Sequence, residues 1–376
     1  MKRRVVQIVR SPVGGIRKHI LSIIEGLGDE FEMFLITDIS DADKRYFEDI
    51  ERKSNKCLKV FNLKILDQPG FRDLLNIYKI LQIVKLISPN VLHGHGAKGG
   101  LYARVVGFLL GVKVIYTAHG GSIHDMHGKI KNRIYSIVER ILYKFTDLLV
   151  FESKYTMKQY SSKIGRETTD EKFCLNYNAI DFKENVLELQ CREINPEKLI
   201  VIGAFGLLRF IKGHDLLIMA VSSLIEKGYK IQLNIFGSGE EEKSLLDLAK
   251  SCGMSDFFKI FREADSVNVE MSKCHIVVHP SRFESFGYVP LEALVNGATV
   301  VSSLEGGLFE VMDEGRSGFC VKDLSENTLS KQIEMAILNK SEREKKFNHA
   351  ITYLSEMFST TIFFKRLGEI YNDCKK

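Results

Sequence analysis

The sequence predicts an α/β fold: two tandem, doubly wound, Rossmann-like domains facing a cleft. Three observations carry that reading. Short apolar, β-branched runs alternate with amphipathic helical patterns along nearly the whole chain, the mark of parallel sheets covered by helices. The second half repeats the scheme of the first. The length, 376 residues, suits two domains of ordinary size better than one core.

In the first half the expected strands are residues 5–9, 33–36, 58–61, 91–93, 112–117 and 148–151. In the second they are 199–204, 231–236, 258–261, 276–278, 299–301 and 318–321. Residues 185–198 are polar, contain Pro196 and show no period, as a linker would. The expected domains are therefore 1–184 and 199–355. The closing segment reads as helices with no strand to cover, and residues 356–376 are expected to pack back on the first domain. In such sheets ligands bind beyond the carboxyl ends of the strands, so the residues after each strand matter most.

Composition narrows the class. With 45% hydrophobic and 27% charged residues, disorder and collagen-like fibres are excluded. Seven cysteines without a Cys-x-x-Cys pair argue against a disulfide framework or a structural zinc site. Apolar runs stop far short of the roughly 20 residues that a spanning helix needs. The basic start is followed by too short an apolar stretch for a signal peptide, so a reducing, cytoplasmic compartment is expected.

Charge is unevenly placed. Residues 1–190 hold 30 Lys and Arg against 22 Asp and Glu, and the remainder holds 23 against 26. No acidic residue occurs between Asp73 and Asp125. This basic half reads either as a solvated surface or as a face for anionic lipid or a polyanionic substrate. Residues 129–144 are amphipathic, with Lys131, Arg133, Arg140 and Lys144 interleaved with Ile130, Ile134, Ile137 and Ile141. A core-facing helix with a basic outer face is the expected arrangement. Docking on a membrane surface is the alternative.

Several strand ends carry chemistry. After the first strand, Gly14 and Gly15 allow a tight turn whose bare N–H groups approach an anion at a helix start, although a dinucleotide fingerprint is missing. Glu284 and Glu292 are eight residues apart with Phe286, Gly287 and Tyr288 between them, and Pro290 marks the first helical turn. That spacing puts one carboxylate in a loop and the other on a helix. Each can accept hydrogen bonds from vicinal hydroxyls, of a sugar and of a ribose, while the backbone N–H groups of residues 286–288 face a diphosphate. His119 and His95 end strands of the first half; each is either a ligand contact or a histidine satisfied within the fold. Asp41 and Asp43 spell Asp-x-Asp but sit in a polar stretch before a helix, where a solvated cap is the better reading. No metal site is expected.

The stretch from Glu284 to Glu292 resembles the Glu-x7-Glu signature of retaining GT-B glycosyltransferases, glycosyltransferase family 4 in particular. His279-Pro280-Ser281 before it and Gly306-Gly307 after it fit as well, as do Gly14-Gly15 and Thr117-Ala118-His119-Gly120. The resemblance covers nearly the whole chain, including residues 178–181, where the family more often has glycine in place of Ala179.

The resemblance implies an acceptor-side first domain and a nucleotide-sugar-binding second domain. It assigns Glu292 to the donor ribose, Glu284 and His119 to the transferred sugar, and Lys212 to the diphosphate. It also places Gly237 and Ser238 beside the nucleotide, and 261–263 along the base. One departure stands out: Leu207 occupies the place of a second family cation, which Arg209 is expected to replace. The implied activity is retaining transfer from a UDP- or GDP-sugar to a lipid-linked or growing glycan, with no further cofactor and with an anionic membrane surface as a possible partner. Bacterial capsule or O-antigen synthesis is the setting expected from general resemblance. A nucleotide-sugar epimerase or hydrolase of the same architecture, or a catalytically weak glycan-binding homologue, is the alternative.

Overall fold

The structure, a computed structural model, describes residues 2–11, 14–40, 58–120, 128–182, 189–263 and 266–373. The chain divides into two compact units, Met1–Asn178 with Thr360–Lys376, and Ala179–Ser359.

The first unit runs β1 (Arg4–Val9), α1 (Gly14–Leu27), β2 (Glu32–Thr37), β3 (Leu58–Asn62), α2 (Phe71–Ile87), β4 (Val91–His95), α3 (Gly96–Leu110), β5 (Lys113–Thr117), α4 (Lys129–Tyr143), β6 (Leu148–Phe151), α5 (Lys154–Ile164) and β7 (Phe173–Leu175). Its seven strands are ordered β3-β2-β1-β4-β5-β6-β7, and every pairing is parallel. The order reverses between β1 and β4, which makes their carboxyl ends the place for a ligand. β7 escapes the sequence reading because its apolar run, Phe173-Cys174-Leu175, is only three residues long.

The second unit runs β8 (Ile200–Phe205), a 3-10 turn (Phe210–Lys212), α6 (His214–Glu226), β9 (Ile231–Phe236), α7 (Glu242–Ser251), β10 (Phe258–Phe261), α8 (Val267–Lys273), β11 (Ile276–His279), α9 (Tyr288–Val295), β12 (Thr299–Ser303), α10 (Leu308–Val311), β13 (Phe319–Val321), α11 (Glu326–Leu338) and α12 (Lys340–Met357). Its parallel sheet is ordered β10-β9-β8-β11-β12-β13. One core of Ile, Leu and Val from β8, β9, β11, α6 and α11 holds it.

The last helix, α13 (Thr360–Asn372), belongs to the first unit, where it lies against α1 and buries Phe363, Leu367 and Tyr371. The chain thus leaves the first unit after Asn178 and returns after Ser359. Ile180 and Ser359 form a β-bridge at this passage, and the Ile180 N–H donates to the Phe358 carbonyl.

The first compact unit closes at Asn178 and the second begins at Ala179, and the end of the expected linker 185–198 is packed rather than free. Ile194 is buried in the second core, and the Arg192 guanidinium donates to the carbonyls of Cys274 and Asn296. Residues 129–144 do form a helix, but its isoleucines do not face the core. Ile130, Ile134, Ile137 and Ile141 are all at least half exposed, and Glu139, Leu142 and Tyr143 point inward instead. The physical reason is Arg104 on α3, whose buried guanidinium binds the Glu139 carboxylate at 2.6 Å and turns that face of α4 toward the protein.

Candidate functional site

In the second unit the site is built at the carboxyl ends of β8 and β11. β8 leads into the loop 206–209 and the 3-10 turn that ends in Lys212; β11 leads through Pro280 into the loop that carries Glu284. Lys212 and Glu284 are 72 positions apart in sequence, yet Lys212 Nζ lies 2.6 Å from Glu284 Oε2, with both side chains about one-fifth exposed. His279 Nε2 approaches the same oxygen at 3.1 Å. Burial works to raise the Glu284 pKa, but Lys212 and His279 outweigh it and hold the carboxyl down at about 2. Burial depresses the His279 pKa against the pull of Glu284 and Glu292, so both carboxylates of the eight-residue pair act on this ring.

Arg282 braces the two loops together. Its guanidinium makes a two-pronged pair with Asp215 at 2.8 and 2.6 Å, donates to the Phe210 carbonyl at 2.6 Å, and sits 4.0 Å over the Phe210 ring. Its backbone N–H donates to the Ile211 carbonyl. A planar donor fork of this kind fixes geometry as well as charge. Lys212 is thereby locked beside Glu284 from behind.

Gly287 caps α9 with φ 109°, a left-handed conformation that suits glycine, and a Cβ there would press on Leu308 Cδ2. Tyr288 starts the helix, and Glu292 is half-buried in its second turn. Phe286 is different: its ring is buried between Tyr288 and Phe358, so only its backbone is available to a ligand. Gly237 has no room for a side chain, because a Cβ would collide with the Gly206 carbonyl. Ser238 is exposed, and its carbonyl accepts from the Leu208 N–H, tying this loop to the one before Lys212. Arg209 is exposed at the start of the 3-10 turn. Phe205, Phe236 and Phe261 stack in a row across the ends of β8, β9 and β10, and Phe261 is the exposed end of that row.

In the first unit the strand ends gather histidines. Alternation along β4 puts His93 and His95 on one side, and His119 follows β5 with φ 50°, a strained value for a residue with a side chain. Gln7 on β1 donates from Nε2 to the Tyr371 hydroxyl at 3.0 Å, so its Oε1 accepts from His95 Nε2 at 2.7 Å. His95 Nδ1 is then the bare nitrogen and receives the proton of His119 Nε2 at 3.0 Å. On its other side His119 Nδ1 lies 2.9 Å from Glu152 Oε2, which also accepts from Asn178 Nδ2 at 3.1 Å. His93 completes the chain between Tyr371 and Thr117.

Burial drives the pKa of His93 down to about 3 and that of His95 well below the ordinary value. His19, on the inner face of α1, has neither ring nitrogen in a hydrogen bond of good geometry, and burial lowers its pKa strongly as well. His19, His95 and His119 bring one ring nitrogen each within 4.8 Å of one another. The ring centres of His95 and His119 are 5.3 Å apart with the rings nearly coplanar, as expected when the two nitrogens point straight at each other across a proton. Ligands of one ion need lone pairs that converge on a third point. Within this cluster His95 and His119 are hydrogen-bonded to each other.

Gly14 and Gly15 open α1, Gly14 with φ 56°. Asp41 and Asp43 lie outside the described residues. Sequence reading missed His19, Gln7, Glu152, Tyr371, Asp215 and Arg282. Two signals were available: Gln7 interrupts an otherwise apolar strand, and His19 falls on the buried helical face with Ile20, Ile23, Ile24 and Leu27.

Two parallel-sheet units with this topology, and a cation–carboxylate site at the strand ends of the second, define a GT-B fold. The chain is a GT-B glycosyltransferase: residues 13–184 match the model described as Glycosyltransferase Family 4, and residues 188–352 match Glycosyl transferases group 1. Among curated proteins it is similar to the capsular polysaccharide biosynthesis glycosyltransferase CapM of Staphylococcus aureus, 23% identical over 340 residues, covering 86% of this chain and 87% of CapM. It is also similar to the O-antigen biosynthesis glycosyltransferase WclY of Escherichia coli, 25% identical over 370 residues, covering 94% and 93%. Among solved structures, Anabaena HepE in complex with UDP-glucose superposes with a TM-score of 0.81 at 18% identity, over 98% of this chain and 99% of HepE.

Proposed function

We propose that the chain is a retaining hexosyltransferase that moves a sugar from a nucleotide diphosphate sugar, UDP- or GDP-linked, to a hydroxyl of a lipid-linked or growing glycan. The setting is bacterial surface polysaccharide synthesis, capsule or O-antigen, at the cytoplasmic face of the membrane. The names of CapM and WclY support the setting, and the UDP-glucose complex of HepE supports the donor class. The observation that carries the reading is the meeting of Lys212 and Glu284 at 2.6 Å beside the glycine-capped start of α9.

In this mechanism the donor diphosphate competes with Glu284 for Lys212. Its charge is taken up by Lys212, by the N–H groups at the start of α9 around Phe286, Gly287 and Tyr288, and by Arg209 in place of the cation that Leu207 does not supply. Released from Lys212, Glu284 accepts hydrogen bonds from the transferred sugar, and Glu292 accepts them from the ribose. His119 is assigned to the sugar, Gly14 and Gly15 to phosphate, and Gly237 and Ser238 to the nucleotide. The bond from the anomeric carbon to the diphosphate oxygen breaks as the acceptor oxygen attacks the same face, and the acceptor proton passes to the leaving diphosphate. Stabilisation of that leaving group is the main catalytic term, and no metal or further cofactor enters the scheme.

The test is a screen of UDP- and GDP-sugars by saturation-transfer NMR, then transfer to polyprenyl-diphosphate sugars with the anomeric configuration of the product read by NMR. Lys212→Ala is expected to slow turnover by about a hundredfold or more, and Glu292→Ala to weaken donor binding chiefly. An unchanged rate in Lys212→Ala would overturn the mechanism. Hydrolysis or epimerisation of the donor without an acceptor would replace the transferase reading.

A further inference from the structure

α2, α3 and α4 lie side by side over one face of the first sheet, with α3 packed between the other two. Each presents apolar side chains to solvent. Helix α4 is amphipathic in the inverted sense: Asn132, Tyr135, Ser136 and Glu139 face the protein, while Ile130, Ile134, Ile137 and Ile141 form a stripe along the outside. Helix α2 buries Ile80, Val84 and Ile87 in the core and still carries Phe71, Leu74, Tyr78 and Leu86 to solvent, of which Phe71 and Leu86 are more than three-quarters exposed. Phe108, at the end of α3, is exposed and lies against Phe145, just past the end of α4, with ring centres 4.4 Å apart. Twelve of the twenty-three large apolar side chains exposed among the described residues belong to these three helices.

The charge on this face has one sign. The layer's two acidic residues are drawn inward onto buried cations: Asp73 takes Lys98 at 2.7 Å and Glu139 takes Arg104 at 2.6 Å. Among the described side chains, the exposed charges that remain are Arg72, Lys79 and Lys85 on α2, and Lys131, Arg133 and Arg140 on α4, with Lys144 at its end. On α4, Lys131 borders the isoleucine stripe on one side, and Arg133, Arg140 and Lys144 border it on the other. An apolar stripe flanked by Lys131 on one side and a row of three cations on the other matches an interface where acyl chains lie under anionic headgroups. No helix among the described residues is long and apolar enough to cross a membrane, so the contact is with a surface.

We propose that the outer face of α2, α3 and α4 seats the first unit on an anionic lipid surface, the isoleucines of α4 entering the headgroup boundary and the flanking cations pairing with lipid phosphate. This deepens the reading of a lipid-linked acceptor and rests on it only for its purpose. The docking itself is measured without any transfer reaction.

The experiment is co-sedimentation of the full chain with vesicles of phosphatidylcholine alone and of phosphatidylcholine with about 30% phosphatidylglycerol, at low and high salt. Binding is expected on the anionic vesicles only, falling steeply as salt rises. Arg133→Ala and Arg140→Ala should each weaken it about fivefold. The pair Ile134→Asp and Ile137→Asp should abolish it, with the thermal midpoint and UDP-sugar binding unchanged. Equal binding to both vesicle types, or none, would overturn the proposal. So would a dimer that Ile134→Asp dissociates, since the face would then be covered by a second copy. Failure of vesicle binding leaves the transferase reading intact. Vesicle binding by a protein that transfers no sugar removes that reading and leaves this one.

Discussion

Glu284 shows how one contact sets a side chain's chemistry. Its burial alone would raise the carboxyl pKa, and the Lys212 ammonium reverses the sign. Lys212→Met is therefore expected to move the Glu284 carboxyl upward from about 2, since the burial remains, the cation is gone and only His279 still holds it down; a carbon-detected NMR titration reads this directly. Glu152 plays the matching part in the first unit, holding His119 on one side and Asn178 on the other. Glu152→Gln replaces buried, charge-assisted hydrogen bonds and should cost about 1.5–3 kcal/mol of stability. Restoration of activity by Glu152→Asp, with no recovery in Glu152→Ala, would mark it as a residue that positions His119. The sequence exposed Glu284, Lys212 and His119 through their motifs. It hid Glu152, because a glutamate after a strand is legible as functional only once its partners 33 and 26 positions away are seen.

Among the elements, α9 and α4 make opposite cases. Pro290, the glycine before the helix and the flanking carboxylates mark the start of α9 in the sequence, and the helix begins at Tyr288. Gly287→Ala should destabilise the second unit by about 1–3 kcal/mol, because alanine strains at φ 109° and its methyl group meets Leu308. Chemical denaturation checks it, and an unchanged midpoint would mean that the cap can shift. For α4, periodicity located the helix and misjudged its orientation. A stripe of isoleucines has the same period whether it faces a core or a lipid surface. What decided was Arg104: a guanidinium buried on α3 is costly unless a carboxylate meets it, so the side of α4 that carries Glu139 faces inward.

At the scale of the whole molecule, the buried histidines couple the fold to pH. His93 and His214 are held neutral by burial, with pKa values pushed down to about 3 and about 4, against an ordinary value of 6.5. Below pH 6.5 the unfolded chain takes up protons that the native rings refuse, so stability falls with pH until the native values are reached. Each of these two costs about 2 kcal/mol by pH 5. Glu284, with a native value below its unfolded one, adds stability that is present above about pH 4.5 and is lost as the pH falls toward 2. The urea midpoint should therefore decline steadily from neutral to acid pH, and His93→Gln should make the decline shallower. A midpoint independent of pH between 7 and 5 would contradict the buried, neutral state of these rings.

By itself the sequence determined the two-sheet plan, nearly every strand, and the motif residues that end those strands. These are local properties: side-chain period, turn chemistry and spacing are written in neighbouring positions. Tertiary structure alone decided which residues meet across long stretches of chain. It joined Lys212 to Glu284, threaded Gln7, His95 and His119 onto one hydrogen-bonded chain ending at Tyr371, and turned the isoleucines of α4 outward. A buried polar group must find a partner wherever the fold offers one, and that choice is settled in space, among residues that no local pattern connects.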